Sequence, residues 1–236
     1  MKKTLFIFTL LLIIVSCGNS ITENTMTVTG KVKGLKKGTL YLQHIPDSVL
    51  VVIDSMQVDG DGNFSFQTEL ESPDVFYLYL SKKDNNTVND RIAFFGEPGT
   101  ITINTQWNTF DTQAEITGSE THEKWEAYQK TMTKFHNENL EIIQGSIGAK
   151  IPLDSLQIDS IQQLSDKNIR RSYAYALNFA LTNKDSYIAP YIALNDVADA
   201  NIIYLDSINN SLTPEVADSK YGRSLQKYLE DIKTSK

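Results

Sequence analysis

The sequence predicts an α+β protein in which an N-terminal antiparallel β-sandwich precedes a C-terminal helical unit. Two observations support this prediction. Apolar and polar residues alternate through residues 26–117, whereas from Ser119 onward apolar residues recur every three to four positions. Strand-like and helix-like patterns therefore fall into two consecutive blocks, as is typical of α+β folds. The expected units are a sandwich domain at 26–117 and a helical unit at 118–236.

The first seventeen residues have the composition of a lipoprotein signal peptide. Two lysines precede an apolar run at residues 5–15, and a small residue stands before the only cysteine, Cys17. The run is shorter than a bilayer-spanning helix, so a cleaved signal peptide over residues 1–16 is expected. Cys17 would become the lipidated first residue of the mature chain, with residues 17–25 as a tether to the fold.

These features predict a location in the bacterial cell envelope, with acyl chains on Cys17 as the contact with the membrane. No acidic residue directly follows Cys17, which favours the outer membrane, facing the periplasm. With its one cysteine used for lipidation, the mature chain has no thiol for a disulfide, a nucleophile or a C-x-x-C redox pair. The net charge of −7 opposes binding of nucleic acid and electrostatic adsorption to anionic lipid.

Seven or eight short strands are expected before residue 118. The strand-like runs lie at 28–32, 40–42, 49–58, 63–68, 75–80, 91–95 and 101–103. Turn-forming residues separate them at 34–38, 59–63, 83–86 and 96–99. Short strands at this spacing indicate a sandwich.

One of these turns has side-chain oxygens at alternate positions, Asp59, Asp61 and Asn63, as a calcium loop does. However, Phe64 stands where an EF-hand loop needs glycine, and Leu70 where it needs a bidentate glutamate. The stretch is therefore interpreted as a hairpin turn whose glycines supply positive φ. No metal is predicted.

Four to five helical elements are expected after residue 118. Ser119 is the predicted N-cap of the first helix, and Pro152 could open the second. The first helix has one apolar stripe, formed by Trp125, Tyr128, Met132 and Phe135. The later elements are expected at 185–198, where Pro190 starts or kinks the helix, at 201–212, at 213–215 as a short turn, and after Ser219 as a last capped helix.

No recognisable catalytic constellation is present, so enzymatic activity is not predicted. His122 and Glu126 are four residues apart on the predicted first helix and, with Glu123, could surround a metal. Two ligands without a third are a weak signal, and a solvated capping region is the preferred interpretation.

Aromatic residues are the remaining candidates for a binding site. Tyr77, Tyr79 and Trp107 could line a groove on the sandwich, since aromatic rings often form the walls of glycan and peptide sites. The alternative is that they fill the core and the boundary with neighbouring helices.

Several short motifs carry a family resemblance. They include Val-Thr-Gly-Lys-Val at 28–32, Gly-Thr-Leu-Tyr-Leu at 38–42, Glu-Pro-Gly-Thr-Ile at 97–101, and segments at 58–66, 117–119, 183–190 and 219–222. With the signal peptide, they resemble the domain of unknown function found before thioredoxin-like domains in Gram-negative lipoproteins. The resemblance implies the fold and the envelope location. It implies no catalytic position, since the C-x-x-C pair of the thioredoxin-like domain is absent here.

The predicted function is a non-catalytic binding or accessory module that works with a separate thioredoxin-like protein or another envelope component. The alternative is a lipoprotein that binds a small glycan or peptide through the aromatic groove. A metal-dependent enzyme built around His122, Glu123 and Glu126 is a third, weaker hypothesis. No cofactor is predicted.

Overall fold

A computed structural model describes residues 24–46, 48–82, 91–147 and 154–234. The predicted signal peptide, the lipidation site Cys17 and nearly all of the predicted tether lie outside these residues, as do the predicted turn at 83–86 and Pro152. The described ranges contain eight strands followed by six helices, which confirms the predicted α+β class with an N-terminal sandwich.

All strands precede all helices along the chain. The strands are β1 (Thr25–Lys33), β2 (Lys37–His44), β3 (Val51–Asp59), β4 (Asn63–Glu69), β5 (Asp74–Ser81), β6 (Arg91–Gly96), β7 (Gly99–Gln106) and β8 (Glu115–Thr117). The helices are α1 (Glu120–Ile147), α2 (Ser155–Thr182), α3 (Ile188–Asn195), α4 (Ile202–Ser211), α5 (Pro214–Ala217) and α6 (Lys220–Thr234).

The strands form two four-stranded sheets with the orders β4-β1-β7-β8 and β3-β2-β5-β6. Neighbouring strands are antiparallel, except that β1 and β7 run parallel, with Val28 opposite Ile101. The sandwich is therefore not antiparallel throughout. Five other strands lie between β1 and β7 in the sequence. So long a connection allows β7 to pair with β1 in either the parallel or the antiparallel direction.

The predicted hairpin turn after Asp59 instead connects the two sheets, because β3 pairs with β2 and β4 pairs with β1. Gly60 and Gly62 have the positive φ predicted for them, 127° and 75°. The carbonyl of Gly62 accepts a hydrogen bond of 2.8 Å from the backbone N–H of Val32. The residue chemistry of the turn was interpreted correctly, but the strand pairing was not.

Alternate residues of β5 face two different hydrophobic cores. Phe76, Leu78 and Leu80 are buried between the sheets, with Phe94 of β6 beside them. Val75 belongs instead to the core of the helical unit. The helices therefore cover part of the outer face of the β3-β2-β5-β6 sheet, which places helices, sheet and second sheet in successive layers.

The predicted N-caps agree with the observed helix starts. Ser119 Oγ accepts the N–H of His122 at 3.0 Å at the start of α1, and Ser219 Oγ accepts that of Gly222 at 3.2 Å at the start of α6. Pro190 lies in the first turn of α3, where proline is tolerated. None of the helices in the described ranges combines the length and the apolar character needed to cross a membrane.

Candidate functional site

A cleft of about 700 Å³ opens between α1, α2 and the end of α3. Its volume lies in the range of small-molecule sites. Five aromatic residues line it: Trp125, Tyr128, Phe135, Tyr173 and Tyr191. Six neutral polar residues line it as well: Gln129, Thr133, Asn139, Asn168, Ser172 and Asn195. We refer to this space, defined by these residues, as the interhelical cleft.

The helical period places these side chains on facing surfaces. On α1, the predicted stripe that begins at Trp125 and ends at Phe135 lies on the wall of the cleft. On α2, Asn168, Ser172 and Ala176 recur every four residues and form the opposite wall. The small and polar side chains of α2 leave space that larger apolar residues would fill.

One buried polar atom in the wall, Asn168 Oδ1, has no hydrogen-bond partner among the described residues. Asn168 Nδ2 donates to the backbone carbonyl of Phe135 at 2.7 Å, which fixes the orientation of the amide. Buried polar groups are nearly always paired, so an unpaired one requires an explanation. A ligand that reaches Asn168 Oδ1 would supply the missing partner.

The electrostatics of the interhelical cleft favour a neutral or cationic ligand. Among the described residues that line it, there is no lysine or arginine, and the titratable side chains besides tyrosine are His136 and Asp196. Burial, together with Asp196, raises the pKa of the Tyr128 hydroxyl far above its usual value, and burial raises the pKa of Tyr191 to about 12. Both hydroxyls are thus protonated at neutral pH and can act as donors.

Sequence reasoning missed the α2 wall of this cleft. The predicted second helix was described only by its start at Pro152, and Asn168 was not considered. A signal was present, because a polar residue followed at four-residue intervals by Ser172, Ala176 and Ala180 marks a helix face that packs closely without being fully apolar.

The candidate groove residues Tyr77 and Tyr79 share the outer face of their sheet. The guanidinium of Arg91 lies 5.6 Å from the ring of Tyr77 and 5.5 Å from that of Tyr79, and Tyr79 lies 5.9 Å from Tyr41. Tyr77 also packs against the core of the helical unit, as the alternative interpretation expected. The two tyrosines and Arg91 form a small aromatic–cationic surface.

Trp107 follows β7 and is placed apart from this surface. Its ring lies against Gly34, where an added Cβ would approach it to 2.7 Å, and Lys82 Nζ lies 5.7 Å from the ring centre. Within the described ranges, no ring–ring contact joins Trp107 to Tyr77 or Tyr79. The three predicted residues thus occupy two separate positions.

His122 is buried, with 3% of its surface exposed, so the predicted solvated capping region is wrong for this residue. Its Nδ1 accepts the backbone N–H of Phe95 at 3.2 Å, and its Nε2 lies 3.4 Å from Glu126 Oε1. Burial lowers the pKa of His122 despite Glu126. In the part of the chain that the structure describes, no three His, Cys, Asp or Glu side chains are grouped to hold a metal.

A second polar cluster joins the sandwich to α6 and was not predicted. Asp74, at the start of β5, is 3% exposed and lies 2.6 Å from His44 Nε2, which donates to its carboxylate. Lys220 and Tyr221 of α6 also donate to this carboxylate, and the backbone N–H of Val75 does so at 2.7 Å. One buried acceptor therefore connects both units.

The ionised state of Asp74 depends on its donors. Burial alone would raise the pKa of Asp74, but hydrogen bonds from His44, Lys220 and Tyr221 together hold it below the usual value of 3.8. Since folding lowers this pKa, the stabilisation is fully present above the unfolded-state value and is lost as the pH falls through the folded-state value.

We therefore expect the difference in unfolding free energy between the wild type and Asp74→Asn to be large at pH 7 and to shrink below about pH 4. Urea unfolding at a series of pH values, followed by circular dichroism, measures both proteins. The other carboxylates titrate in both proteins and cancel in the comparison. A difference that stays constant with pH would show that ionisation of Asp74 does not stabilise the fold.

Comparison with known families assigns the sandwich. Residues 26–125 match the family described as a domain of unknown function, DUF4369. This segment is similar to DUF4369 domains. The matched segment covers nearly the whole of β1, all the other strands and the first turns of α1, so it ends where the interhelical cleft begins. No curated protein matches the chain.

Proposed function

We propose that this protein is a non-catalytic binding module, anchored in the bacterial envelope through Cys17, whose interhelical cleft binds a small neutral ligand of the glycan or peptide class. The observation that supports this proposal is the pairing of aromatic rings with neutral hydrogen-bonding side chains around one cleft. Aromatic faces stack on sugar rings and apolar groups, while amides and hydroxyls replace the ligand's hydrogen bonds to water.

The proposal assigns ligand binding to the helical unit rather than to the groove expected on the sandwich. The cleft has depth, with about 700 Å³ of space, and a buried acceptor, Asn168 Oδ1, without a partner among the described residues. The surface formed by Tyr77 and Tyr79 already holds the Arg91 guanidinium, and Trp107 lies apart from it. The groove hypothesis remains the competing explanation, and one experiment separates the two.

The two tryptophans report on the two sites, since Trp125 lines the cleft and Trp107 belongs to the predicted groove. In a Trp107→Phe variant, Trp125 is the only tryptophan left. We expect titration with a panel of neutral oligosaccharides and short peptides to change Trp125 emission saturably, with the same midpoint as in the wild type. A change seen in the wild type and lost in Trp107→Phe would place the ligand on the sandwich.

Two further substitutions in the Trp107→Phe background test the assignment. Asn168→Leu conserves volume and removes the free acceptor together with the hydrogen bond to the Phe135 carbonyl. We expect it to weaken binding at least about tenfold, the effect of losing one buried hydrogen bond to the ligand. Tyr79→Ala, on the sandwich, should leave the midpoint unchanged. The opposite pattern, in which only Tyr79→Ala weakens binding, would contradict the proposal.

A separate thioredoxin-like protein is a second proposed partner. Its support is the DUF4369 match, together with the resemblance described above and a chain whose only cysteine is Cys17. Co-purification from detergent-solubilised membranes, with a tag after Lys236 and mass spectrometry of all chains, tests it. We expect an acylated bait and a bound C-x-x-C protein. Recovery of the acylated bait alone would contradict this partner.

A further inference from the structure

Five consecutive apolar residues before and at the start of β3 are exposed to solvent. They are Val49, Leu50, Val51, Val52 and Ile53, with exposed fractions from 36% to 70%. We refer to these residues, 49–53, as the β3 tip. Alternate residues of a strand point to opposite faces of a sheet, so neither face of this stretch is covered.

The β3 tip differs from the rest of its strand. Further along β3, Met56 packs against the sandwich core and Val58 belongs to it. Among the described strands, β3 lies at the edge of its sheet and pairs with β2 alone. Edge strands of soluble proteins are usually protected by charged residues, and a contiguous exposed apolar patch marks an interaction surface. The sandwich core therefore does not account for the apolar side chains of the β3 tip.

The chain enters the sandwich at the same end as the β3 tip. The carbonyl of Asn24, the first described residue, accepts the backbone N–H of Leu70 at 3.0 Å. Leu70 in turn lines a second, smaller cleft with His44, the last residue of β2, and with Pro46 in the loop that leads to the β3 tip. The attachment point of the tether and the β3 tip therefore lie at the same end of the sandwich.

Two turns mark the opposite end of the sandwich. The turn after β1 and the turn after β3 contact each other there, since Gly60 N–H donates to the carbonyl of Lys36 at 3.1 Å. β3 runs from its exposed tip at one end to this turn at the other. The side chain of Lys36 is exposed and offers a matched reference position far from the tether.

The short tether limits how far the sandwich can lie from a membrane. Seven residue steps separate Cys17 from Asn24, and even a fully extended chain of that length spans at most about 25 Å. If Cys17 carries acyl chains, Asn24, at the end of the sandwich that bears the β3 tip, stays within this distance of the lipid surface. This step rests on the lipid anchor of the proposed function.

We propose that the β3 tip is a second membrane contact, which inserts its valine, leucine and isoleucine side chains at the boundary between headgroups and acyl chains. The adjacent cleft is lined by acidic residues, Glu69, Glu71 and Asp74, and by basic ones, Lys220 and Arg223, so its charges give no net attraction to anionic headgroups. The contact therefore relies on apolar burial, as interfacial protein segments do, and suits a zwitterionic bilayer. Together, anchor and tip fix the orientation of the sandwich on the membrane.

A fluorophore at the β3 tip tests this inference in the full-length, acylated protein. Leu50→Cys is labelled with an environment-sensitive dye, with Lys36→Cys as the control at the other end of the sandwich. In vesicles of phosphatidylcholine and phosphatidylethanolamine, we expect the Leu50 label to emit at shorter wavelength and to be quenched by lipid-attached quenchers. The Lys36 label should keep the emission of a dye in water.

Three other outcomes would contradict this proposal. Water-like emission from both labels in acylated protein overturns the membrane contact and leaves the anchor intact. A shielded Leu50 label without vesicles, dependent on protein concentration, would show instead that two β3 edges pair between copies of the chain. A wild-type protein that lacks the acyl mass and reacts with the dye at Cys17 would overturn the anchor, and the inference with it.

Discussion

Replacing Asp74 with alanine is expected to lower the free energy of unfolding by about 3 kcal/mol, because breaking a buried ion pair leaves uncompensated donors. His44, Lys220 and Tyr221 all lose their shared acceptor. The side chain of Lys220 is 31% exposed, so water can partly replace the lost carboxylate. For this reason, the expected loss of unfolding free energy lies at the lower end of the range known for broken buried ion pairs.

Urea unfolding followed by circular dichroism measures the effect of Asp74→Ala, and Asp54→Ala is the matched control. Asp54 is an exposed carboxylate in β3 that accepts the N–H of the next residue, Ser55. Its removal should change stability by less than about 0.5 kcal/mol, as is usual for surface substitutions. Equal losses in the two variants would mean that the cluster around Asp74 adds nothing beyond an ordinary surface carboxylate.

A substitution of Gly30 by alanine should destabilise the sandwich by about 3 kcal/mol or more, because overpacking between two backbones has no flexible side chain to relieve it. Gly30 lies opposite Ile103 in the parallel pair of β1 and β7. A Cβ at this position would stand 1.8 Å from the carbonyl oxygen of Ile103. The two central strands would have to separate, which explains a glycine inside a strand.

Gly145 provides the control for the Gly30 substitution. It lies in α1, and a Cβ built there meets nothing within 4 Å. Alanine at position 145 should therefore raise stability by up to about 1 kcal/mol, since glycine is a poor helix former. Thermal unfolding of the two variants beside the wild type should shift the midpoint in opposite directions. A Gly30→Ala protein as stable as the wild type would contradict the close approach of β1 and β7.

Local patterns predicted most of the elements because each depends on neighbours in sequence. The alternation along 75–80 predicted β5, and the stripe from Trp125 to Phe135 predicted α1 with its N-cap at Ser119. A strand or a cap requires only a few adjacent residues to agree in character. These signals therefore do not depend on the rest of the fold.

Pairings between distant segments could not be predicted in the same way. The Asp-Gly-Asp-Gly-Asn turn has the residues of a hairpin, yet it leads from one sheet to the other, because positive φ at Gly60 and Gly62 suits both kinds of turn. His122 was expected in solvent, and its burial follows from its contact with Phe95 of β6. The interhelical cleft needs the relative placement of three helices, which no single helix reveals.

Between β1 and β7 the chain crosses from one sheet to the other four times. Neither sheet is therefore formed by one continuous segment of the chain. β1 lies between β4 and β7, and Met26 is opposite Gly99 in the second of these pairs. During synthesis, β1 thus lacks its parallel partner until β7 follows. Such non-local pairing slows folding, since distant segments must meet before their contacts form. The nascent sandwich therefore exposes strand edges until β7 has been made, and truncation before residue 106 should leave it unable to close.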